Sequence, residues 1–404
     1  VQGVSMKTTN TGDYKATHRI YYDDSYIFDF DAKVIGCEKD AAGNFAVVLD
    51  KTAFFPESGG QYGDCGLIGN SRVSDTKEKN NVIFHITDQS VEVGQILHCK
   101  IDNDARFIKM QNHSGEHIVS GLMHSRFGIE NVGFHLGHYD VTMDFNKKMS
   151  REQLDCIEEA ANDVVYRNLP IEIFYPDENE LGKLSYRSKL DITDNVRIVK
   201  IGDVDTCACC APHVRMTGEI GIIKLLDYAP YKGGTRVHML CGKWALSDYG
   251  KRYSNLSEIA ALLSSKSDEA AEKFRFFLNE KKQLELRLSV LKKSNIALKA
   301  ELLFPDADGN IVVFEKTEAD VMQDYVNVLL KKCENIAAVF SGDDKNGYNF
   351  IIASEKVDLK SMLPVFSSTF NVKCGGSKSM IRGFISAEKT EIIEFMKKMK
   401  AKNE

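Results

Sequence analysis

His113-Ser114-Gly115-Glu116-His117-Ile118-Val119-Ser120-Gly121-Leu122 marks the point where the chain turns from strands to helices. It sits inside a helical periodicity that runs from Ala105 to Phe127. Histidines four apart share a helix face, about 5–6 Å apart at Cβ, so both imidazoles can reach one ion. Upstream, from about Tyr21 to Lys100, apolar and polar positions alternate in short runs: 27–30, 45–49 and 82–86. Turn signals such as Ala42-Gly43-Asn44 and Gly69-Asn70 separate them. Short strands at this spacing predict a small β-barrel or strongly bent sheet. Among them lies Thr52-Ala53-Phe54-Phe55-Pro56-Glu57-Ser58-Gly59-Gly60-Gln61-Tyr62-Gly63-Asp64, whose glycines let backbone approach a ligand or another domain closely.

Downstream, a second helix is predicted over 151–167, ended by Pro170, with strands at 171–174, 196–201, 220–226 and 235–240. From Asn255 onward the pattern is one long helix. Spacings of three and four place Ala270, Phe277, Leu284, Leu291 and Leu298 at one seam position, and Phe274, Lys281, Leu288, Asn295 and Leu302 at the other. A parallel homodimer would set like charges against each other along this seam. The helix therefore pairs antiparallel, packs on its own chain, or serves as a single amphipathic linker. After the turn-rich Phe304-Pro305-Asp306-Ala307-Asp308-Gly309-Asn310, strands at 311–314, 337–340 and 350–353 alternate with helices at 320–332, 359–369 and 390–400. The reading is an α+β multidomain chain. It comprises an N-terminal barrel (1–102), an α+β domain (103–252), a long helical linker or coiled-coil segment (253–303) and a small C-terminal α/β domain (304–404). Residues 1–15, polar and starting without Met, are set apart as disordered or artificially added.

The 404 residues are enough for two or three domains, and 43% hydrophobic with 27% charged residues excludes wholesale disorder. A formal charge of -6 excludes a uniformly basic nucleic-acid binder, so any such affinity must come from local patches. No apolar run approaches the roughly 18 residues of a membrane span, and no signal-peptide core opens the chain. Ten scattered cysteines without a secretory signal predict a reduced, cytoplasmic protein.

Only Cys207-Ala208-Cys209-Cys210-Ala211-Pro212-His213 clusters thiols, and it pairs Cys209 with His213, again four apart. Two such pairs of His and Cys suit tetrahedral zinc. The alternatives are a core histidine at His117, small buried hydrophobes at the cysteines, or Cys207 or Cys210 as the thiolate ligand or as a redox-active group. His-x-x-Glu-His also matches a zinc peptidase pattern with Glu116 as general base. The ordinary role of Glu116, turned about 100° from His117, is to face solvent or support the helix.

Thr52 to Gln61, His113-x-x-x-His117 and Cys209-x-x-x-His213, in that order, resemble the editing domain of alanyl-tRNA synthetases. They resemble still more the free-standing alanyl-tRNA editing proteins of the AlaX type. Asn131-Val132-Gly133-Phe134-His135 and Thr217-Gly218-Glu219-Ile220-Gly221 extend the likeness over about residues 20 to 250. The remainder looks like the long AlaX form with a C-terminal DHHA1-like domain, its glycine-rich segment being Lys373-Cys374-Gly375-Gly376-Ser377-Lys378-Ser379. Ser58 stands where the family usually has a glycine, and Cys-Cys-Ala-Pro-His replaces Cys-Gly-Gly-Thr-His. No stretch ahead of the editing part would house an aminoacylation core, so a synthetase is not expected.

The resemblance implies trans-editing: hydrolysis of the ester joining serine or glycine to alanine-specific tRNA, with Zn2+ held by His113, His117, Cys209 and His213. A set of four protein ligands is closed, whereas a catalytic zinc keeps a position for water. Thr52 is a candidate to read the serine hydroxyl, or is simply a strand threonine. Gln61 is a candidate for the ester carbonyl or terminal adenosine, or a turn-stabilising residue; Asp64 reads as a turn residue rather than a base. For tRNA phosphates the basic candidates are Lys183-Arg187-Lys189, Lys232-Arg236, Lys292-Lys293 and Lys373-Lys378-Arg382. The last, set on Gly375 and Gly376, has the flexibility of a phosphate-binding loop. A homodimer through the helical segment and C-terminal domain stays open. So do two rival readings, the zinc peptidase and a non-catalytic, zinc-stabilised tRNA-binding module.

Overall fold

The computed structural model describes residues 14–39, 43–137, 139–188 and 196–398. Residues 1–13, Ala42, Lys189 and the end of the last expected helix lie outside the described residues. The chain forms two compact units, Val1–Leu256 and Ser257–Glu404. The α+β multidomain reading holds.

The first unit opens with β1 (His18–Arg19), β2 (Asp29–Lys39), β3 (Phe45–Leu49), β4 (Lys51–Thr52), β5 (Gly66–Ile68), β6 (Ser71–Lys79), β7 (Val82–Thr87) and β8 (Ile96–Ile101). Six of these close into a barrel in the order β2-β3-β7-β6-β5-β8, while β1 and β4 pair in parallel beside it. Alternation drives closure: Phe30, Ala32 and Val34 of β2 point inward against Val47, Leu49 and Phe54.

Helix α1 (Asn103–Phe127) starts at Asp102, whose side chain accepts the Ala105 N–H, and ends at Gly128 in the left-handed region. A glycine inside a helix costs about 1 kcal/mol, yet Gly121 is required: a Cβ there would sit 2.4 Å from the Val204 carbonyl oxygen. After α1 come β9 (Asn131–Leu136), β10 (Val141–Phe145), α2 (Arg151–Arg167), β11 (Ile171–Phe174), α3 (Glu178–Leu181), β12 (Ile198–Ile201), β13 (Asp205–Ala208), β14 (Ile223–Tyr231), β15 (Gly234–Cys241) and α4 (Gly242–Leu262). A sheet ordered β14-β15-β10-β9 and a second, β11-β12-β13, pack with α1 and α2 around one apolar core. The barrel is tied to α1 by a buried ionic group. Arg106 and Lys109, both on α1, bind opposite oxygens of Asp64, with Lys109 Nζ 3.2 Å from Oδ1. Asp64 is thus a buried anchor and not a turn residue.

The expected single long helix is two. α4 ends before Ser264, which takes a left-handed φ of 51°, and α5 (Ala270–Glu301) begins afresh. The run Leu263-Ser264-Ser265-Lys266-Ser267-Asp268 supplies the break, since serine hydroxyls compete for backbone groups: Ser265 Oγ donates to the Ala260 carbonyl at 3.4 Å. The heptad seam of α5 is open, with Phe277, Leu284 and Leu291 exposed, whereas Ile296 and Ala300, off that seam, are buried on its own unit. The second unit continues with β16 (Ile311–Phe314), α6 (Ala319–Leu330), β17 (Ala337–Asp343), β18 (Gly347–Ala353), α7 (Leu359–Thr369), β19 (Asn371–Gly376), β20 (Met380–Ser386) and α8 (Lys389–Lys398). Its sheet runs β16-β17-β18-β20-β19, parallel at the first pair and antiparallel beyond. α5 and α6 cover one face; α7 and α8 cover the other. No helix among the described residues is long and apolar enough to cross a membrane.

Candidate metal centre and active-site cavity

α1 places His113 and His117 one turn apart, with ring centroids 5.6 Å from each other. The loop after β13 brings Cys209 and His213 against them. His213 Nε2 lies 3.4 Å and His113 Nε2 3.5 Å from Cys209 Sγ. One donor atom from each of the four residues falls within 4.8 Å of all the others, a group that can hold a metal ion.

The opposite ring nitrogens are all engaged. His113 Nδ1 lies 3.1 Å from Gln61 Oε1, His117 Nδ1 2.9 Å from Asp205 Oδ2, and His213 Nδ1 3.0 Å from Ser114 Oγ. A ring that donates at Nδ1 presents its Nε2 lone pair to a metal, and such outer partners are what metal-bound histidines ordinarily have. Burial pushes the His213 imidazole down to about 3, so it is neutral. Burial alone would push the Cys209 thiol up, but its neighbours, His113 first, lower it well below its usual range and favour the thiolate. A neutral imidazole and a thiolate are the states in which these two residues bind metal. Burial would also lower His117, yet its bond to Asp205 and the nearby Cys209 raise it well above the ordinary value. Arg187 in turn grips Asp205 from Nε at 2.8 Å and Nη2 at 2.9 Å.

Cys207 is buried, and burial pushes its thiol up to about 11; Cys210 is exposed. Of the three clustered thiols, Cys209 alone belongs to the four-residue group; Cys207 joins His117 and Asp205 in a second, adjoining one. The loop from Cys209 to His213 is clamped by Arg197, whose Nη1 donates to the carbonyls of Cys209 at 2.7 Å and Ala211 at 3.0 Å. Glu116 does not face solvent. Its Oε1 accepts from Ser120 Oγ at 2.7 Å and Asn131 Nδ2 at 2.6 Å, and its Oε2 lies 3.9 Å from His117 Nε2.

A cavity of about 770 Å3 opens over this group, bounded by Ser58 and Gly59 of the glycine loop, Phe55, Phe134, His113 and Glu116. Gly60 takes a φ of 83°, and a Cβ there would sit 2.2 Å from the Phe134 carbonyl oxygen, so glycine is what lets the loop lie on β9.

Thr52 and Gln61, expected to meet substrate, are both buried and outside the cavity lining. His85 Nδ1 faces the Val47 carbonyl at 3.0 Å, and burial lowers the ring to about 4. Its Nε2 therefore accepts the Thr52 hydroxyl proton at 2.8 Å, while Thr52 Oγ1 accepts the Phe54 N–H. Thr52 has no donor left for a substrate. Gln61 faces His113 rather than the cavity. The glycine-rich segment from Lys373 is likewise not a loop: Gly375 and Gly376 belong to the edge strand β19, opposite Arg382 and Ile381. Backbone alone makes that pairing, so the absence of side chains does not prevent it. Lys373, Lys378 and Arg382 are exposed around it. Of the other basic candidates, Arg187 is spent on Asp205, Arg236 on Asp144 and Lys292 on Glu318. Sequence reasoning missed Ser114, Asp205 and Arg197 and gave Arg187 to tRNA phosphates instead of Asp205; no local motif announces these contacts.

Among known proteins, residues 196–238 match the family described as threonyl and alanyl tRNA synthetase second additional domain. Residues 3–105 match the class II (A) tRNA synthetases. Both stretches are thus similar to parts of tRNA synthetases. The chain is 29% identical over 393 residues to the alanyl-tRNA editing protein AlaX-L of Pyrococcus horikoshii, covering 93% of this chain and 96% of that protein. It is 24% identical to the alanyl-tRNA editing protein Aarsd1 of Rattus norvegicus, over 89% of this chain and 92% of the relative. The alanine–tRNA ligase of Archaeoglobus fulgidus matches at 28%, but over 43% of its own length. Along nearly its whole length the chain is similar to free-standing alanyl-tRNA editing proteins of the long AlaX type, as the motifs implied.

Proposed function

We propose that this protein is a trans-editing hydrolase that removes serine or glycine from mischarged alanine-specific tRNA, with zinc held by His113, His117, Cys209 and His213. One observation carries the reading: three imidazoles, each anchored at Nδ1, turn Nε2 toward a single thiolate at the wall of a cavity. Nitrogen and sulfur donors in this number suit zinc rather than magnesium or calcium. When bound, zinc supplies a Lewis acid beside the ester. Gln61, Asp205 and Ser114 orient the three rings, Arg197 holds the loop between Cys209 and His213, and Thr52 supports the glycine loop from beneath. The need for such a reaction is physical. A synthetase pocket sized for alanine cannot exclude glycine and only weakly rejects one added hydroxyl. Lys373, Lys378 and Arg382, beside Gly375 and Gly376, are proposed to meet tRNA phosphates.

The peptidase reading would use Glu116 as general base, but Glu116 Oε1 already accepts from Ser120 Oγ and Asn131 Nδ2. The assay that tests the proposal is deacylation of seryl-, glycyl- and alanyl-tRNA bearing the alanine identity element. Seryl- or glycyl-tRNA should be hydrolysed at least about tenfold faster than alanyl-tRNA. Equal rates on all three, or tRNA binding without turnover, would refute it. Glu116→Gln should keep hydrolysis within a few-fold.

A further inference from the structure

The cavity over the metal group is too large for an amino acid. At ~30 Å3 for each water-sized group, its roughly 770 Å3 holds on the order of 25 such groups. A seryl group has about six non-hydrogen atoms and fills about a quarter of that space. The rest is bounded by residues outside the metal group, Arg19, Tyr22, Tyr175 and Arg197. Tyr22 lies between two guanidinium groups, with Arg19 Cζ 6.0 Å and Arg197 Cζ 5.6 Å from its ring centroid. Arg197 is only 5% exposed, and no carboxylate pairs with it among the described residues. Its Nη1 is spent on the metal loop and its Nε is buried without a partner. A fixed cation in a cavity wall, with no carboxylate partner among the described residues, favours an anion. Arg19, half-buried, shares its Nη2 between Glu78 and Asn81 at the rim and can turn to a phosphate. Tyr175 is 51% exposed beside Arg197.

We infer that Arg19, Tyr22, Tyr175 and Arg197 form the seat of the tRNA's 3′-terminal nucleotide, the base stacking on tyrosine and the phosphate meeting arginine. The inference rests on the editing reading for the identity of its ligand. Its chemistry stands on the wall itself: aromatic faces interleaved with guanidinium groups are how proteins hold unpaired nucleotides. The ester linking the amino acid to the terminal ribose then lies over the His113 end. Arg197 joins the two ends, since the guanidinium that charges the seat also holds the carbonyls on either side of Cys210.

The test uses the full-length, zinc-loaded protein with Tyr175→Ala and Arg19→Met, and with Tyr166→Ala, an exposed tyrosine on α2 outside the cavity, as control. On a mischarged acceptor-stem minihelix each cavity variant should raise KM by about tenfold, with kcat within about threefold and zinc content unchanged; this is the scale of one lost stacking or charged contact. A calorimetric titration with adenosine 5′-monophosphate should show the same weakening in the cavity variants and none in Tyr166→Ala. Wild-type protein that hydrolyses the minihelix while both cavity variants keep its KM within twofold overturns the seat and leaves the editing reading standing. Wild-type protein that hydrolyses no mischarged tRNA sinks the editing reading. The adenosine 5′-monophosphate titration then still decides the seat, because equal affinity in wild type and cavity variants refutes it.

Discussion

Around His113 each ring nitrogen turned away from Cys209 meets a partner inside the protein, whereas Lys373 on the edge strand β19 and Arg382 on the neighbouring β20 stand exposed with no ion pair among the described residues. In the first region charge is buried, desolvated and fixed, so each contact is strong and its loss is expensive. In the second, water and salt screen each charge, and only their number matters. On the proposed reading the difference separates chemistry from capture, with fixed geometry in one unit and a screened, exposed charge cluster in the other.

The largest effect should come from breaking the fixed region at its centre. Protein purified without chelator should carry about one zinc per chain. Cys209→Ala and His213→Ala should lose most of it and lower hydrolysis by about three orders of magnitude or more, the several kcal/mol a Lewis acid contributes. Cys207→Ala should keep metal and rate; metal analysis that finds Cys207→Ala as depleted as Cys209→Ala would reassign the thiolate.

Next in size is the anchor beneath the site. Removing one partner of a buried ionic group costs about 3–5 kcal/mol, so Asp64→Asn should lower stability by that much in urea melts. Burial alone would raise the Asp64 carboxyl, but Arg106 and Lys109 hold it below its ordinary value. Its stabilisation is therefore complete above the unfolded pKa of about 3.9 and is lost as pH falls through the lower, folded value. The variant should show a shallower loss of stability below about pH 4 than the wild type. Parallel acid limbs would remove Asp64 as the cause. Asp205→Asn removes the carboxylate that holds both the His117 ring and Arg187. It should weaken zinc affinity about ten- to hundredfold in chelator competition and also lower stability, because Arg187 loses its ion pair.

These partners mark where sequence stops being readable. α2 is written locally: Ser150 and Gln153 make a reciprocal capping box at its start and Asn168 takes a left-handed cap at its end, so 151–167 is legible residue by residue. The His113 and Cys209 motifs are equally local, each a pair four apart. What joins them is not. Asp205 reaches His117 across 88 positions and Ser114 reaches His213 across 99, contacts that exist only once α1 lies against β13. The β9–β10 hairpin has no counterpart in the sequence reading, where no element falls between 127 and 151; Gly133 stands there opposite Asp144 in the ladder. Gly375 and Gly376 read as a loop because glycine is the usual loop residue. Thr52 shows the converse, a residue correctly placed in the site's motif whose hydroxyl is consumed by His85. Thr52→Val should then cost about 1–3 kcal/mol of stability by orphaning His85 and Phe54 N–H. It should slow seryl- and glycyl-tRNA hydrolysis alike, and a loss confined to seryl-tRNA would restore Thr52 as the reader of the hydroxyl.

The smallest effect should come from the diffuse region, and its signature is salt dependence rather than rate. Lys373, Lys378 and Arg382 are exposed, and the nearest ion pair among them is Lys378 with Asp358 at 4.0 Å. Exchanging all three for alanine removes charge from a surface without touching the packed faces of the sheet, where Ile381 and Ile385 remain buried. Zinc content, melting temperature and kcat at saturating substrate should all stay at wild-type values. If each side chain neutralises one phosphate, the slope of log affinity against log salt should flatten by about 2–3, roughly 0.7–0.9 for each contact. Affinity for full-length tRNA should fall most at low salt, because the released counterions contribute most there. At high salt the triple variant and wild type should converge, since screening already silences the exposed charges in both. An acceptor-stem minihelix should be held as before if the terminal nucleotide and the His113 end provide its contacts. A triple variant with an unchanged slope on full-length tRNA would erase the division of labour, leaving the first unit to supply capture as well as chemistry.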